Sequence, residues 1–343
     1  MIELESLVRP NIAALTPYST ARDELSGAPD IFLDANESPY DNGFNRYPDP
    51  HQTALKQRLS EIKGIPADRI FLGNGSDEAI DLVLRVFCEP GQDNIVAISP
   101  SYGMYEVAAA TNDIAVRKVP LHPDFSLDEE ALLAAADAHT KVLFLCSPNN
   151  PSGNAFPNAQ ILDIATRFKG IVVVDEAYID FSRIPSLASR VDDQPNLIVL
   201  QTLSKAWGMA GLRVGLALAC PRIVRWMSMI KYPYNINVLA QRTVLEQLRQ
   251  PVAARIAEII AERDRLAASL PALPFVRTVY PSEANFLLVK VEGADALYAH
   301  LLRDGIIVRN RSCVPGCEGC LRITVGTPEE NRRLEASLKR YQP

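Results

Sequence analysis

The chain has 343 residues, 48% of them hydrophobic and 22% charged, with a formal net charge of −6. That is enough apolar material for a sizeable core, and its length leaves room for two domains. The acidic balance argues against a protein that binds nucleic-acid backbones. Its longest apolar runs are strand-length, and its first twenty residues lack the apolar stretch of a secretion signal, so neither membrane nor export is expected and the location is read as cytoplasmic.

Residues 1–30 carry Pro10, Pro17 and Pro29, and are expected to form an irregular N-terminal arm. Strands and helices then alternate. "RIFLGNG" reads as strand and turn, and "SDEAIDLVLRVFCEPG" as a helix stopped by Pro90 and Gly91. "NIVAISP", "KVLFLCSP", "GIVVVDEAY" and "NLIVLQTLS" read as further strands, with "SYGMYEVAAAT" and "NAQILDIATRF" as helices. Strands that are apolar at nearly every position, separated by amphipathic helices, indicate an α/β domain over 31–237. Its mostly parallel sheet would be covered on both faces.

From 238 to 343 the pattern changes to a smaller α+β domain. A helical stretch broken by Pro251 leads to "FVRTVYPSEANFLLVKV", then to the helix "ADALYAHLLRDG" and the strands "IIVRN" and "CLRITVG". The final helix, "TPEENRRLEASLKRY", has Thr327 as N-cap, Pro328 in its first turn and Glu330 placed to complete a capping box.

Cys88, Cys146 and Cys220 sit in apolar settings and read as core. "CVPGCEGC" groups Cys313, Cys317 and Cys320, yet a structural zinc site needs four ligands and the nearest histidine, His300, lies upstream on a helical pattern. No metal is expected.

In sheets of this kind ligands bind beyond the carboxyl ends of the strands. Polar residues cluster there: "FLGNGSDE", "CSPNNPSG", "VVVDEAY" and "QTLSKAW". Lys205, partly desolvated and near Arg213, would have a lowered pKa and could form a Schiff base. Asp175 ends a buried run, and a buried carboxylate needs a cationic or hydrogen-bonding partner, such as a protonated ring nitrogen or a structural salt bridge. Gly73 and Gly75 allow a tight turn before a helix whose first N–H groups, at Ser76 and Asp77, can hold a phosphate, as can Thr202, Ser204 and Arg213. Each residue alone has a plain structural explanation in a turn, a cap or a solvated face. A dinucleotide fingerprint is missing, because position 78 is Glu where a third glycine is needed. Together the groups ask for a molecule with a phosphate, an aldehyde and a basic ring nitrogen, which describes pyridoxal phosphate.

"SPNNPSG", "VVVDEAY" and "TLSKAWGMAGLRVG", in this order and at these intervals, resemble the fold-type I pyridoxal-phosphate aminotransferases. "LTPYSTAR", "LDANESPY", "NRYPDP", "GNGSDEAIDL", "PSYGMYE" and "LRITVGTPEEN" are similar to the histidinol-phosphate aminotransferase subfamily. The resemblance covers nearly the whole chain. It implies that Lys205 holds the cofactor aldehyde and moves the substrate proton, while Asp175 pairs with the ring nitrogen. Asn150 and Tyr178 would meet the ring hydroxyl oxygen, and Tyr102 would stack on the ring. Ser76, Asp77, Thr202, Ser204 and Arg213 would hold the phosphate, with Tyr47 reaching it from the other subunit of a homodimer.

For substrate it implies Tyr18, Asn36, Arg309 and Arg322, binding histidinol phosphate and then 2-oxoglutarate or glutamate. Arg309 and Arg311 alternate onto one strand face, and the family motif favours Arg309. The "CVPGCEGC" loop is where this sequence departs from the pattern. Alternatives sharing the chemistry are an aromatic amino acid aminotransferase and a decarboxylase of a phosphorylated amino acid. A nicotinamide dehydrogenase fits the sheet but not the glycine loop, and a cofactor-binding regulatory domain would not need the full catalytic set.

Overall fold

The computed structural model describes residues 3–23 and 30–342. Its larger sheet has seven strands: β1 (Ile70–Asn74), β2 (Asn94–Ser99), β3 (Ala115–Pro120), β4 (Thr140–Cys146), β5 (Ile171–Asp175), β6 (Leu197–Thr202) and β7 (Val214–Ala219). They lie in the order β1-β7-β6-β5-β4-β2-β3. Strands β3, β2, β4, β5 and β6 are mutually parallel, whereas β7 runs antiparallel to both neighbours, β6 and β1.

Side chains alternate across this sheet into two apolar layers. Leu143, Leu145, Val172 and Val174 face one, which the helices Thr53–Lys63, Asn158–Arg167 and Val238–Gln247 cover. Phe144, Ile171, Val173 and Ile198 face the other, under the helices Ser76–Phe87, Met104–Thr111 and Pro221–Ile230. Burial on both faces explains why the strands carry apolar residues without a polar alternation.

Two expectations about the ends of this body differ from the structure. The arm is partly regular: Leu4–Leu7 and Pro10–Ala13 each form a helical turn, and Leu4 and Val8 are buried against the large sheet's helices. Pro10 opens its turn instead of interrupting one, since its missing N–H costs nothing at a first helical position. The helix Val238–Gln247, grouped by sequence with the smaller domain, packs Ala240 and Val244 into the large sheet's core.

The second sheet is antiparallel and has the order β10-β11-β9-β8. Its strands are β8 (Val276–Val279), β9 (Phe286–Val291), β10 (Arg309–Asn310) and β11 (Cys320–Thr324). Leu287, Val289, Leu321 and Ile323 face the helices Ala253–Ser269, Ala294–Arg303 and Pro328–Arg340. The expected capping box at Thr327 and Glu330 is present. From the opposite face Phe286 packs on Tyr178 and Phe181 of the large body, which turns that face toward the large sheet's strand ends. All six cysteines are free; Cys317 and Cys320 are buried with Phe125 and Leu288. Among the described residues no group of three or more His, Cys, Asp or Glu side chains is arranged to hold a metal ion.

Candidate active site

A cleft of about 370 Å³ opens at the carboxyl ends of β1, β4, β5 and β6. Because β7 runs the other way, its start lies at the same edge: Gly215 is paired with Thr202 and Val214 with Asn74. Sheet topology therefore brings the segments after β1 and β6, and the one before β7, to a single place. Ser76, Asp77, Thr202, Ser204, Lys205 and Arg213 all line it. Tyr102, Asn150, Asp175 and Tyr178 line it too, joined from the small sheet by Arg309, Arg311 and Arg322.

The anion-binding end is built on glycine. The helix Ser76–Phe87 begins at Gly75 with no side-chain cap, leaving its first N–H groups open toward the cleft. Gly75 has φ +81°, and a Cβ there would come within 2.5 Å of Arg213 Nη2. A Cβ on Gly215 would collide with the Ser76 amide nitrogen. Arg213 itself sits at φ +55°, a strained region for a long side chain, and its Nη2 donates to Asp77 Oδ2 at 3.5 Å. The Thr202 hydroxyl donates to Ser204 Oγ at 3.0 Å and accepts from the Ser204 amide at 3.1 Å, fixing both hydroxyls at the rim. Glu78, where a third glycine was sought, turns its carboxylate back onto the Asn74 amide and accepts from Asn235 at 2.9 Å.

Asp175 is 2% exposed. Burial pushes its carboxyl up to about 6, against the Tyr105 hydroxyl and the Ala177 amide, which favour the ionised form. Its Oδ2 accepts from Tyr105 at 2.8 Å and its Oδ1 from Ala177 at 3.0 Å. Lys205 Nζ stands 5.6 Å from the centroid of the Tyr178 ring. Burial lowers its pKa, as do Arg322 and Arg213, while Asp175 opposes them. The Tyr102 hydroxyl donates to Asp77 Oδ1 at 3.0 Å.

On the small-sheet wall, Arg309 lies directly opposite Arg322 in the β10–β11 pairing. Arg322 Nη1 donates to Asn150 Oδ1 at 2.5 Å, joining the two bodies, while its Nε is buried without a partner. The structure leaves three expected residues outside this cleft. Tyr18 is 75% exposed, Asn36 is exposed at φ +55°, and Tyr47 stacks on Tyr234 with ring centroids 4.4 Å apart. Within one chain Tyr18 and Asn36 are therefore not part of the site. Both side chains are exposed, and neither belongs to a buried cluster that would turn it inward.

The sequence alone does not mark Tyr105, although its place three residues after Tyr102 puts both on one turn. Gly215 is likewise unmarked. Its signal was its pairing across from Thr202, which becomes visible only once β7 is known to be antiparallel.

The donor set fits a phosphate at the uncapped helix start, a basic ring nitrogen at Asp175 and an aldehyde at Lys205. That combination, on a mostly parallel sheet with a second sheet closing over its strand ends, defines a fold-type I pyridoxal-phosphate transferase. The chain belongs to the aminotransferase class I and II family, whose model matches residues 24–338. It is 57% identical over 341 residues to a histidinol-phosphate aminotransferase of Parabacteroides distasonis, covering 99% of each chain. A histidinol-phosphate aminotransferase of Bacteroides fragilis is 52% identical over 345 residues, covering all of both chains. Among solved structures, the histidinol-phosphate aminotransferase from Sinorhizobium meliloti in complex with pyridoxal-5'-phosphate superposes with a TM-score of 0.76 at 27% identity, over 85% of this chain and 82% of that one.

Proposed function

We propose that the chain transfers the amino group of L-histidinol phosphate to 2-oxoglutarate, giving imidazole-acetol phosphate and glutamate, with pyridoxal phosphate as its cofactor. The observation that carries this reading is the pairing of Lys205 with an arginine wall, Arg309, Arg311 and Arg322, that has no carboxylate partner among the described residues. The full-length similarity to histidinol-phosphate aminotransferases supports it.

Bound in the cleft, pyridoxal phosphate supplies an aldehyde for the substrate amine and a ring that absorbs the electron pair left by the departing α proton. The chain supplies the rest. Ser76 and the Asp77 amide at the helix start, with Thr202, Ser204 and Arg213, hold the cofactor phosphate. Asp175, as a carboxylate, holds a proton on the ring nitrogen. Asn150 and Tyr178 would donate to the ring hydroxyl oxygen, and Tyr102 would lie against the ring. Lys205 Nζ takes the α proton. Its lowered pKa leaves more of it neutral for that purpose. Arg309 and Arg322 grip the substrate's anionic end, the phosphate in one half-reaction and a carboxylate in the other, since a guanidinium fork suits both.

The site is completed by a second copy of the chain. Leu33, Tyr40 and Tyr232 are at least 80% exposed and lie in the same two segments as Tyr47 and Tyr234. An apolar surface of this kind calls for a partner. In a homodimer, the partner subunit's Tyr47 reaches the cofactor phosphate, and its Tyr18 and Asn36 reach the substrate. The test is product analysis with histidinol phosphate and 2-oxoglutarate. Stoichiometric glutamate supports transamination; no glutamate here, with carbon dioxide released when a phosphorylated amino acid is supplied instead, would make the chain a decarboxylase.

A further inference from the structure

The cleft holds one more cation than the proposed chemistry uses. Its basic groups are Lys205, Arg213, Arg309, Arg311 and Arg322, and its acidic ones are Asp77 and Asp175. Asp77 is occupied by Arg213 and Tyr102, and Asp175 by Tyr105 and the Ala177 amide. The three small-sheet arginines have no ion pair among the described residues.

Arg311 differs from Arg309 in depth. The Arg311 amide donates to Cys320 O at 2.9 Å, extending the β10–β11 ladder by one step, so its side chain falls on the cleft face beside Arg309 and Arg322. Arg309 is exposed, whereas Arg311 is half-buried and its Nε is shielded from solvent with no hydrogen-bond partner. Burial, then Arg322 and Arg309, lower its proton affinity. Its positive charge also acts on Tyr178 at the cofactor end. A half-buried guanidinium with an idle donor, beside two others of like charge, is unfavourable until an anion arrives. Two forks suffice for a carboxylate; a phosphate monoester, with three terminal oxygens and two charges, can use a third.

We propose that Arg311 is a specificity-determining residue that binds the phosphate monoester of the amine substrate together with Arg322, with Arg309 closing on it from the rim. This rests on the reading that the substrate is phosphorylated. It assigns Arg311 the selection of a dianion over a carboxylate or an uncharged side chain.

The holoenzyme and its Arg311→Gln and Arg311→Lys variants are compared in two ways. Calorimetry measures binding of inorganic phosphate, and single turnovers measure half-saturation by histidinol phosphate and by unphosphorylated histidinol. Loss of a charge-assisted bond predicts that Arg311→Gln weakens phosphate and histidinol phosphate about 10- to 100-fold. Half-saturation by histidinol should stay within about twofold, and Arg311→Lys, which keeps the charge but not the fork, should fall between. Equal weakening toward histidinol and its phosphate, or none toward either, would overturn the assignment while leaving the proposed reaction intact. Wild-type enzyme that saturates with histidinol as readily as with histidinol phosphate would remove the phosphorylated substrate and the role of Arg311 with it.

Discussion

The Tyr105 hydroxyl donates to Asp175 Oδ2 at 2.8 Å in the interior of the large body, across 70 positions of sequence. Tyr105 is 1% exposed and stacks on Phe144 of β4 with ring centroids 4.8 Å apart, which holds its hydroxyl against Asp175 beside the Cys146 thiol. The bond offsets part of the desolvation that pushes Asp175 toward its neutral form. Tyr105→Phe removes it and raises the pKa of Asp175. A bond to a charged group contributes about 1.5–3 kcal/mol, which corresponds to about one to two pKa units. The chemistry needs Asp175 ionised, so the acid limb of the half-reaction rate should move to higher pH in the variant, with the plateau above about pH 9 little changed. A pH–rate profile with an unmoved acid limb would show that Tyr105 only packs.

Lys205→Ala should abolish turnover, by a factor of at least ~10³, because both proton transfer and the amine that holds the aldehyde are lost. The phosphate cradle does not include this side chain, so cofactor should still co-purify. Assay of the variant alongside its bound cofactor checks both. Wild-type-like turnover would remove Lys205 from the reaction.

Gly215 and Gly211 lie in the same short stretch, yet an added methyl group should be harmful at the first and neutral at the second. A Cβ on Gly215 meets the backbone of Gly75 and Ser76, whereas on Gly211 it meets nothing within 4 Å. Gly215→Ala must therefore push the helix start away from the cleft, at about 1–3 kcal/mol, with cofactor affinity falling by about tenfold. Gly211→Ala should leave both unchanged. Equilibrium dialysis of the cofactor and chemical denaturation of the two variants separate the cases.

Glu176 points away from the cleft, with Oε1 accepting from the Leu187 amide at 2.7 Å and Oε2 from Gln201 at 3.0 Å. Burial nevertheless pushes its carboxyl up to about 7 from an ordinary 4.5. The folded chain thus binds this proton more tightly than the unfolded one. Its contribution is fully present below about pH 4.5 and lost as the pH rises through 7, by about 3 kcal/mol at most. Glu176→Gln should flatten the fall in denaturation midpoint between pH 5 and 8. Identical slopes in the variant and the wild type would contradict the burial argument.

The large body was legible because its strands lie buried on both faces, so each ends abruptly where apolar residues give way to Asp175, Lys205 or Ser76. The same burial hid β7. "VGLALA" shows no difference from its parallel neighbours, and its direction follows only from the short return through Ala210–Leu212. Tyr105 was hidden because its partner is remote in sequence, and nothing local marks a core tyrosine as hydrogen-bonded to a carboxylate. Arg309 and Arg311 were correctly placed on one face by strand alternation. Arg311, unlike Arg309, adjoins the loop at Cys313–Cys320, whose Val314 amide donates to Arg311 O and whose Cys317 and Cys320 pack with Phe125 and Leu288. That anchoring is tertiary packing, which strand periodicity does not report.

The most direct test of the account is a half-reaction without 2-oxoglutarate. Purified protein carrying its cofactor is mixed with either histidinol phosphate or phenylalanine, and the loss of the cofactor's yellow absorbance is followed. The arginine wall predicts rapid bleaching by histidinol phosphate and far slower bleaching by phenylalanine. Faster bleaching by phenylalanine would keep Lys205 and Asp175 in their roles but contradict the phosphate-directed substrate, and would make this chain an aromatic aminotransferase.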